Sequence, residues 1–323
     1  MIQNKSNNSF ELPESSALII AGPTASGKSS LAIELALQLD GVIINADSQQ
    51  IYKGLPILSA QPDDRDLAKV PHRLYDFLEP NEICDAHRWR ELARNEICQV
   101  LDKNKLPVLT GGTGLYINAL VDGLSPVPDI PESIRRQTND LIEEIGTEKF
   151  FQKLKHKDPV SAENLDPFNK RRLARAWEVL EATNIPLSQW QEEPLEGAVD
   201  EVKFVMVFVC PKREALRERC DNRFDEMVRL GAVEEVKWLS DKIDRKEVSD
   251  INPITKALGF IPLRDYLKGE FEWEEAVEIA KAQTRQYAKR QVTWFKNKSP
   301  DNIMQKIIYD PASDRPPEFY RPQ

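Results

Sequence analysis

The stretch Gly22-Pro23-Thr24-Ala25-Ser26-Gly27-Lys28-Ser29 follows the apolar run Ala17 to Ala21 and precedes Leu31, Leu35 and Leu39, spaced four residues apart. The spacing predicts a short buried strand, a glycine-bracketed turn, and a helix from about Gly27 to Leu39. The turn fits the phosphate-loop pattern G-x-x-x-x-G-K-[ST]. Glycines let successive N–H groups converge on one anion, and the helix start adds its dipole. Lys28 supplies a mobile positive charge, and the Ser29 hydroxyl can bind Mg²⁺. The bland alternative is a tight turn with no ligand. It is disfavoured because a lysine buried there would lack a partner.

Working outward, Val42 to Ala46 is a second apolar run, ending at Asp47-Ser48. Glu91 to Leu101 reads as a helix, and Pro107 to Thr110 as a third strand leading into Gly111-Gly112-Thr113-Gly114. Strands alternating with helices imply an α/β fold with a P-loop core and a mostly parallel sheet. From about Asp122 to Asp200 no convincing strand occurs, and Val202 to Val209 then returns as a fourth. A strand-poor block between strands of one sheet reads as an inserted helical domain over residues 122–199. The core is then discontinuous, 17–121 and 200–300. Residues 1–16 read as a disordered tail and 301–323 as a C-terminal tail. Amphipathic helices are expected at Lys212 to Leu230 and Glu274 to Phe295.

The chain has 323 residues and a formal net charge of −9, which argues against indiscriminate nucleic-acid coating. No apolar run approaches bilayer-spanning length, so no membrane association is expected. The start lacks a basic region followed by an apolar one, unlike a secretory signal. Four cysteines without a C-x-x-C pair, and three histidines, disfavour a zinc site or a disulfide framework. A reducing cytoplasm fits, and a monomer is expected.

Ligands of open α/β sheets gather at the carboxyl ends of the strands. Asp47 and the Gly111 turn are expected there, facing the phosphate loop. Taken alone, an Asp after a strand is usually a helix cap, and that reading is slightly favoured for Asp47, while Gly111-Gly112 could be just a turn. Two basic clusters stand out. Lys170, Arg171, Arg172 and Arg175 form one. Lys281, Arg285, Lys289 and Arg290 form the other, within a stretch free of acidic residues. A solvated helix face is the usual fate of such a run, and contact with nucleic-acid phosphate is the alternative.

Together these segments resemble the tRNA dimethylallyltransferase family. The resemblance rests on the phosphate loop, Ala46-Asp-Ser-x-Gln-Ile-Tyr-Lys-Gly54, Pro71-His-Arg-Leu74, Gly111-Gly-Thr-Gly-Leu-Tyr116, Gly123-Leu-Ser-Pro126, Arg171-Arg-Leu-Ala-Arg175 and Lys289-Arg-Gln-Val-Thr-Trp294, from about Ala17 to Lys298. It implies transfer of a dimethylallyl group from dimethylallyl diphosphate to N6 of the adenosine next to the anticodon, with release of diphosphate. It implies Asp47 as general base and Thr113 beside the reacting centre. Gly22, Pro23, Thr24, Ala25, Ser26, Gly27, Lys28, Ser29 and Arg223 would hold the diphosphate, and Ser29 would hold Mg²⁺. Contacts to the tRNA anticodon stem-loop would come from Asp47, Ser48, Gln49, Gln50, Thr113, Arg135, Arg171, Arg172, Leu173, Ala174, Arg175, Lys256, Gly259, Lys289 and Arg290. One region departs from the family pattern. Where many members carry Gly-Tyr and a basic residue, this chain has Gly259-Phe260-Ile261, with the nearest basic residue at Arg264. His72 reads as a structural hydrogen-bonding residue, Met206 as core, and Trp177 and Trp190 as packing of the inserted domain. Rival readings are an adenylate isopentenyltransferase, a small-molecule P-loop kinase and a non-enzymatic RNA-binding P-loop protein. The last would leave Asp47 and Thr113 without a role.

Overall fold

The computed structural model describes residues 9–321. Eight strands run in chain order: β1 (Ser9–Glu11), β2 (Ser16–Ala21), β3 (Gly41–Asn45), β4 (His72–Arg73), β5 (Leu106–Gly111), β6 (Lys203–Val209), β7 (Ile303–Tyr309) and β8 (Glu318–Tyr320). Six of them form one sheet in the order β4-β3-β5-β2-β6-β7, and every pairing in it is parallel. Side chains alternate across it. Ala17, Ile19 and Ala21 of β2 join one core with Phe204, Met206 and Phe208 of β6, while Leu18, Ile20, Val205 and Val207 join the other. Both faces are covered, so these strands are apolar throughout, as parallel strands must be.

The helices of the first half are α1 (Lys28–Gln38), α2 (Pro56–Ser59), α3 (Asp64–Lys69), α4 (Ala86–Leu101) and α5 (Gly114–Val121). Helix α4 starts five residues before its expected first residue Glu91, because Asp85 caps it by accepting the Arg88 N–H at 2.8 Å. Four helices follow β6: α11 (Arg213–Leu230), α12 (Ala232–Asp244), α13 (Phe260–Leu267) and α14 (Trp273–Asn297).

Between α5 and β6 lie α6 (Glu132–Ile145), α7 (Thr147–Lys157), α8 (Pro159–Glu163), α9 (Lys170–Thr183) and α10 (Leu187–Trp190). Residues Gly123–Ala198 make a compact unit separate from the sheet-bearing one. It has its own core of Ile142, Phe150, Leu154, Leu173 and Trp177. Phe150 and Trp177 pack as tilted rings with centroids 5.2 Å apart, and Trp190 donates its indole N–H to Thr183 Oγ1. An antiparallel bridge between Leu124 and Glu196 brings the unit's entry and exit together.

Both expected tails need correction where they are described. Residues 1–8 of the N-terminal one lie outside the described residues. Ser9–Glu11 is a strand paired in parallel with β8, with Phe10 against Phe319 at 5.7 Å and Leu12 buried. Nor is 301–321 a tail, since β7 extends the main sheet by pairing with β6 over six positions. Ile303 packs on one core and, after a bulge, Ile307 and Tyr309 pack on the other, while Met304, Lys306 and Ile308 are exposed.

Candidate active site

The phosphate loop leaves the central strand β2. Its glycines answer definite constraints. A Cβ on Gly22 would come within 2.7 Å of the Val209 carbonyl, and Gly27 adopts φ 93° immediately before α1. Ala25 is also left-handed, at φ 60°. Lys28 is buried and its Nζ donates to the Pro23 carbonyl at 3.3 Å. Burial pushes the Lys28 pKa down to about 8, against the opposing pull of Asp47 and with a further push from Arg223. Burial also lowers Arg223, on α11, and Asp47 again opposes it. Lys28, Arg223 and Asp47 are thus within electrostatic reach of one another. A cleft of about 280 Å³ is lined by Ser26, Lys28, Ser29, Gln50, Tyr75 and Arg223 among others. Ser26 Oγ is buried without a hydrogen-bond partner.

Asp47 sits one residue beyond the end of β3 and Ala46. It caps no helix, because the next one after it, α2, begins only at Pro56. Its Oδ1 accepts the Gln49 N–H at 3.0 Å, closing an Asx turn. Buried Asn45 splints this turn, accepting the Asp47 N–H and donating to the Asp47 and Leu74 carbonyls. Thr113 joins it from β5. Its hydroxyl oxygen accepts the Ser48 N–H at 3.0 Å, and its own N–H reaches the Ala46 carbonyl at 3.2 Å. The phosphate loop, Asp47 and Thr113 therefore meet at one edge of the sheet.

Protein fills the space on the Cβ side of the Gly111 turn's glycines. A Cβ on Gly111 would fall 2.1 Å from the Ala46 carbonyl oxygen. One on Gly112 would meet Gln291 Nε2 at 2.1 Å, and one on Gly114 would meet Trp294 Nε1 at 1.9 Å. Gly111 thus lets the chain after β3 approach, and Gly112 and Gly114 let α14 pack against the turn.

The residues expected to touch RNA divide. In the sheet-bearing unit, Lys256, Lys289 and Arg290 are exposed, and Ser48, Gln49 and Gln50 are half-buried. Gln50 spends its amide N–H groups on the Ser59 and Ala60 carbonyls, and Gln49 donates to Pro253. Gly259 is buried as the left-handed cap of α13, where a Cβ would meet Phe224 at 2.6 Å, so it presents no surface. Arg264 is tied to Asp244 at 3.3 Å and does not replace the missing cation. Lys281 and Arg285 pair with Asp225 and Asp221 of α11, which removes half of the expected basic stripe. In the helical unit, Arg171 and Arg172 are exposed at the start of α9, whereas Leu173 and Ala174 face the core. Arg175 and Arg135 are half-buried; burial pushes the Glu178 carboxyl above its usual range, and both arginines oppose that push.

Some neighbours of the site carried no readable signal in the sequence. Tyr75 and Tyr287 are both pushed above the usual phenol range, chiefly by burial and then by the charge of Asp47. Gln291 bonds two loops at once. Only the run of named motif residues around position 291 could have pointed to it. His72 makes the expected structural contact, its Nδ1 at 2.9 Å from the Val70 carbonyl, and Met206 is core.

The chain is similar to known proteins over most of its length. Residues 50–298 match the family model described as IPP transferase. The chain is 47% identical over 281 residues to a tRNA dimethylallyltransferase of Paramagnetospirillum magneticum, covering 87% of this chain and 88% of that one. Among solved structures, it is similar to a full-length tRNA isopentenylpyrophosphate transferase from Bacillus halodurans, with TM-score 0.62, 32% identity, and coverage of 92% and 90%. It is also similar to a eukaryotic dimethylallyltransferase acting on tRNA, with TM-score 0.73, 28% identity, and coverage of 87% and 69%. A match over residues 50–298, well over half of the chain, means that this chain belongs to the IPP transferase family.

Proposed function

We propose that this protein is a tRNA prenyltransferase, which moves a dimethylallyl group from dimethylallyl diphosphate to N6 of the adenosine 3′ of the anticodon. The observation that carries this reading is the convergence of Asp47 and Thr113 with the Lys28 loop and Arg223 at one sheet edge. A kinase would explain the loop but not the Asp47 turn held by Thr113 through Ser48 beside it.

The chemistry follows from the residues. An adenine amine is a weak nucleophile, while an allylic carbon supports positive charge in the transition state. The main requirement is to stabilise charge gathering on the departing diphosphate. The loop residues, Lys28 and Arg223 line one cleft and are placed for that. The N6–C bond forms as the C–O bond breaks, the electron pair leaves with the diphosphate, and the surplus N6 proton passes to Asp47. Unpartnered Ser26 Oγ supports an anion as the loop's occupant. The exposed Ser29 hydroxyl lines the same cleft and fits a magnesium ion carried in by the diphosphate. No cluster of three or more acidic, cysteine or histidine residues suited to a metal occurs among the described residues, so the other donors would be phosphate oxygens and water. Such an ion would add further charge neutralisation on the leaving group. Exposed Arg171, Arg172, Lys289 and Arg290 suit RNA phosphates on an otherwise acidic protein. Among the described residues, no helix is long and apolar enough to cross a membrane.

The test is incubation of the protein with dimethylallyl diphosphate and either an anticodon stem-loop or AMP, followed by nucleoside mass spectrometry. N6-prenyladenosine in the stem-loop is the expected product. Product from AMP alone would favour the adenylate reading instead.

A further inference from the structure

Gln291 lies on α14 and is 5% exposed, yet it is polar and belongs to neither the phosphate loop nor the Asp47 turn. Its Oε1 accepts the Thr24 N–H at 2.8 Å, and its Nε2 donates to the Gly112 carbonyl at 2.9 Å. The partners themselves fix this orientation. A flipped amide would set donor against donor at Thr24 and acceptor against acceptor at Gly112. One side chain therefore ties the loop after β2 to the turn after β5.

The Thr24 N–H shares a rigid peptide plane with the Pro23 carbonyl, and in a trans peptide the two point in opposite directions. No cis bond occurs among the described residues. The Pro23 carbonyl is where Lys28 Nζ rests, at 3.3 Å. Gln291 thus grips one end of a plate whose other end seats the catalytic ammonium. Its second bond reaches Gly112, the residue before Thr113, whose hydroxyl holds the Asp47 turn through Ser48.

We propose that Gln291 is a positioning residue that locks the diphosphate-binding loop to the Thr113–Asp47 side of the site, so that leaving group and nucleophile are held in register. This rests on the prenyl-transfer reading above. The role needs an amide of this length. Glutamate could not donate to Gly112, asparagine would fall short of one partner, and methionine would fill the space while leaving both partners unpaired.

Misplacement of about 1 Å in a reacting pair can cost as much as about a hundred-fold in rate. Gln291→Met should therefore slow single-turnover prenylation of an anticodon stem-loop roughly tenfold to a hundred-fold at saturating substrates. Its affinity for inorganic diphosphate should stay within about threefold, because the Gly27, Lys28 and Ser29 amides remain in place. Thr284→Ala serves as the destabilised control. Thr284 is buried on the same helix but bonds only the Ala280 carbonyl within it, so this variant should keep the wild-type rate while folded. All three proteins are assayed below the onset of unfolding, with thermal unfolding recorded alongside. A Gln291→Met rate within threefold of wild type overturns the proposal. So does a rate loss matched by Thr284→Ala, or one accounted for by an equal loss of diphosphate affinity. If the wild-type protein makes no prenylated product, the functional reading fails instead.

Discussion

At the scale of single residues, Asp47 separates chemistry from architecture. Its carboxylate closes an Asx turn on Gln49, and asparagine can close the same turn. Asp47→Asn should therefore leave the unfolding temperature nearly unchanged while slowing the chemical step roughly a hundred-fold, since an amide cannot take the N6 proton. The measurement is single-turnover transfer at saturating substrates, and a fully active variant would show that the proton leaves by another route. Lys28 makes a second residue-scale prediction. Burial lowers its pKa to about 8 in the free protein. As pH rises through that value the ammonium is lost, so kcat/KM for the diphosphate substrate should fall above about pH 8. The guanidinium of Lys28→Arg stays charged throughout the accessible range. The alkaline limb should thus vanish in whatever activity that variant retains, and an unchanged limb would assign the titration to another group.

Among the elements, α9 and α14 were both read as basic faces, and packing sorts their charges. Lys281 and Arg285 are spent on α11, paired with Asp225 and Asp221. Arg171 and Arg172 sit in the first turn of α9, which Asn169 caps by accepting the Arg172 N–H at 3.3 Å. Two cations at a helix start oppose the helix dipole, a local cost consistent with a role in binding an external anion. Replacing both with alanine should weaken stem-loop binding and reduce its log–log salt dependence by up to about two phosphate contacts, roughly 0.7–0.9 each. Affinity for inorganic diphosphate should not change. A filter-binding titration over salt concentration decides it, and an unaltered slope would make this turn a merely solvated face.

For the whole molecule, the two compact units should be separable. Leu124 and Glu196 are bridged antiparallel, so the ends of the helical unit already lie side by side. A two-residue Asn-Gly turn can join such ends without strain. Replacing residues 125–195 with Asn-Gly should leave a sheet-bearing protein that unfolds cooperatively and binds inorganic diphosphate, with stem-loop affinity reduced at least tenfold by loss of the α9 cations. Calorimetry and a binding titration on the same preparation read both outcomes. A protein that fails to fold would show that the sheet-bearing core depends on the excised unit for its stability.

The sequence by itself determined the phosphate loop, the alternating strands and helices around it, and the break in that alternation between Asp122 and Val202. Each is written in local terms: a fixed glycine and lysine spacing, apolar runs long enough for buried strands, and their absence. The N-terminal and C-terminal strands were not legible. Phe10 and Phe319 are single apolar residues in polar surroundings, and they become a strand pair only through each other, 309 positions apart. Only the tertiary structure decided which charges are free, that Leu173, Ala174 and Gly259 are packed rather than presented, and that α14 packs against the Gly111 turn. Gln291 belongs to the same class. Its hydrogen bonds reach 267 and 179 residues along the chain, and no local pattern encodes a partner at that distance. Periodicity reports which face of an element is apolar. What that face meets depends on how the chain closes around it, and in this protein the register of the site is set there.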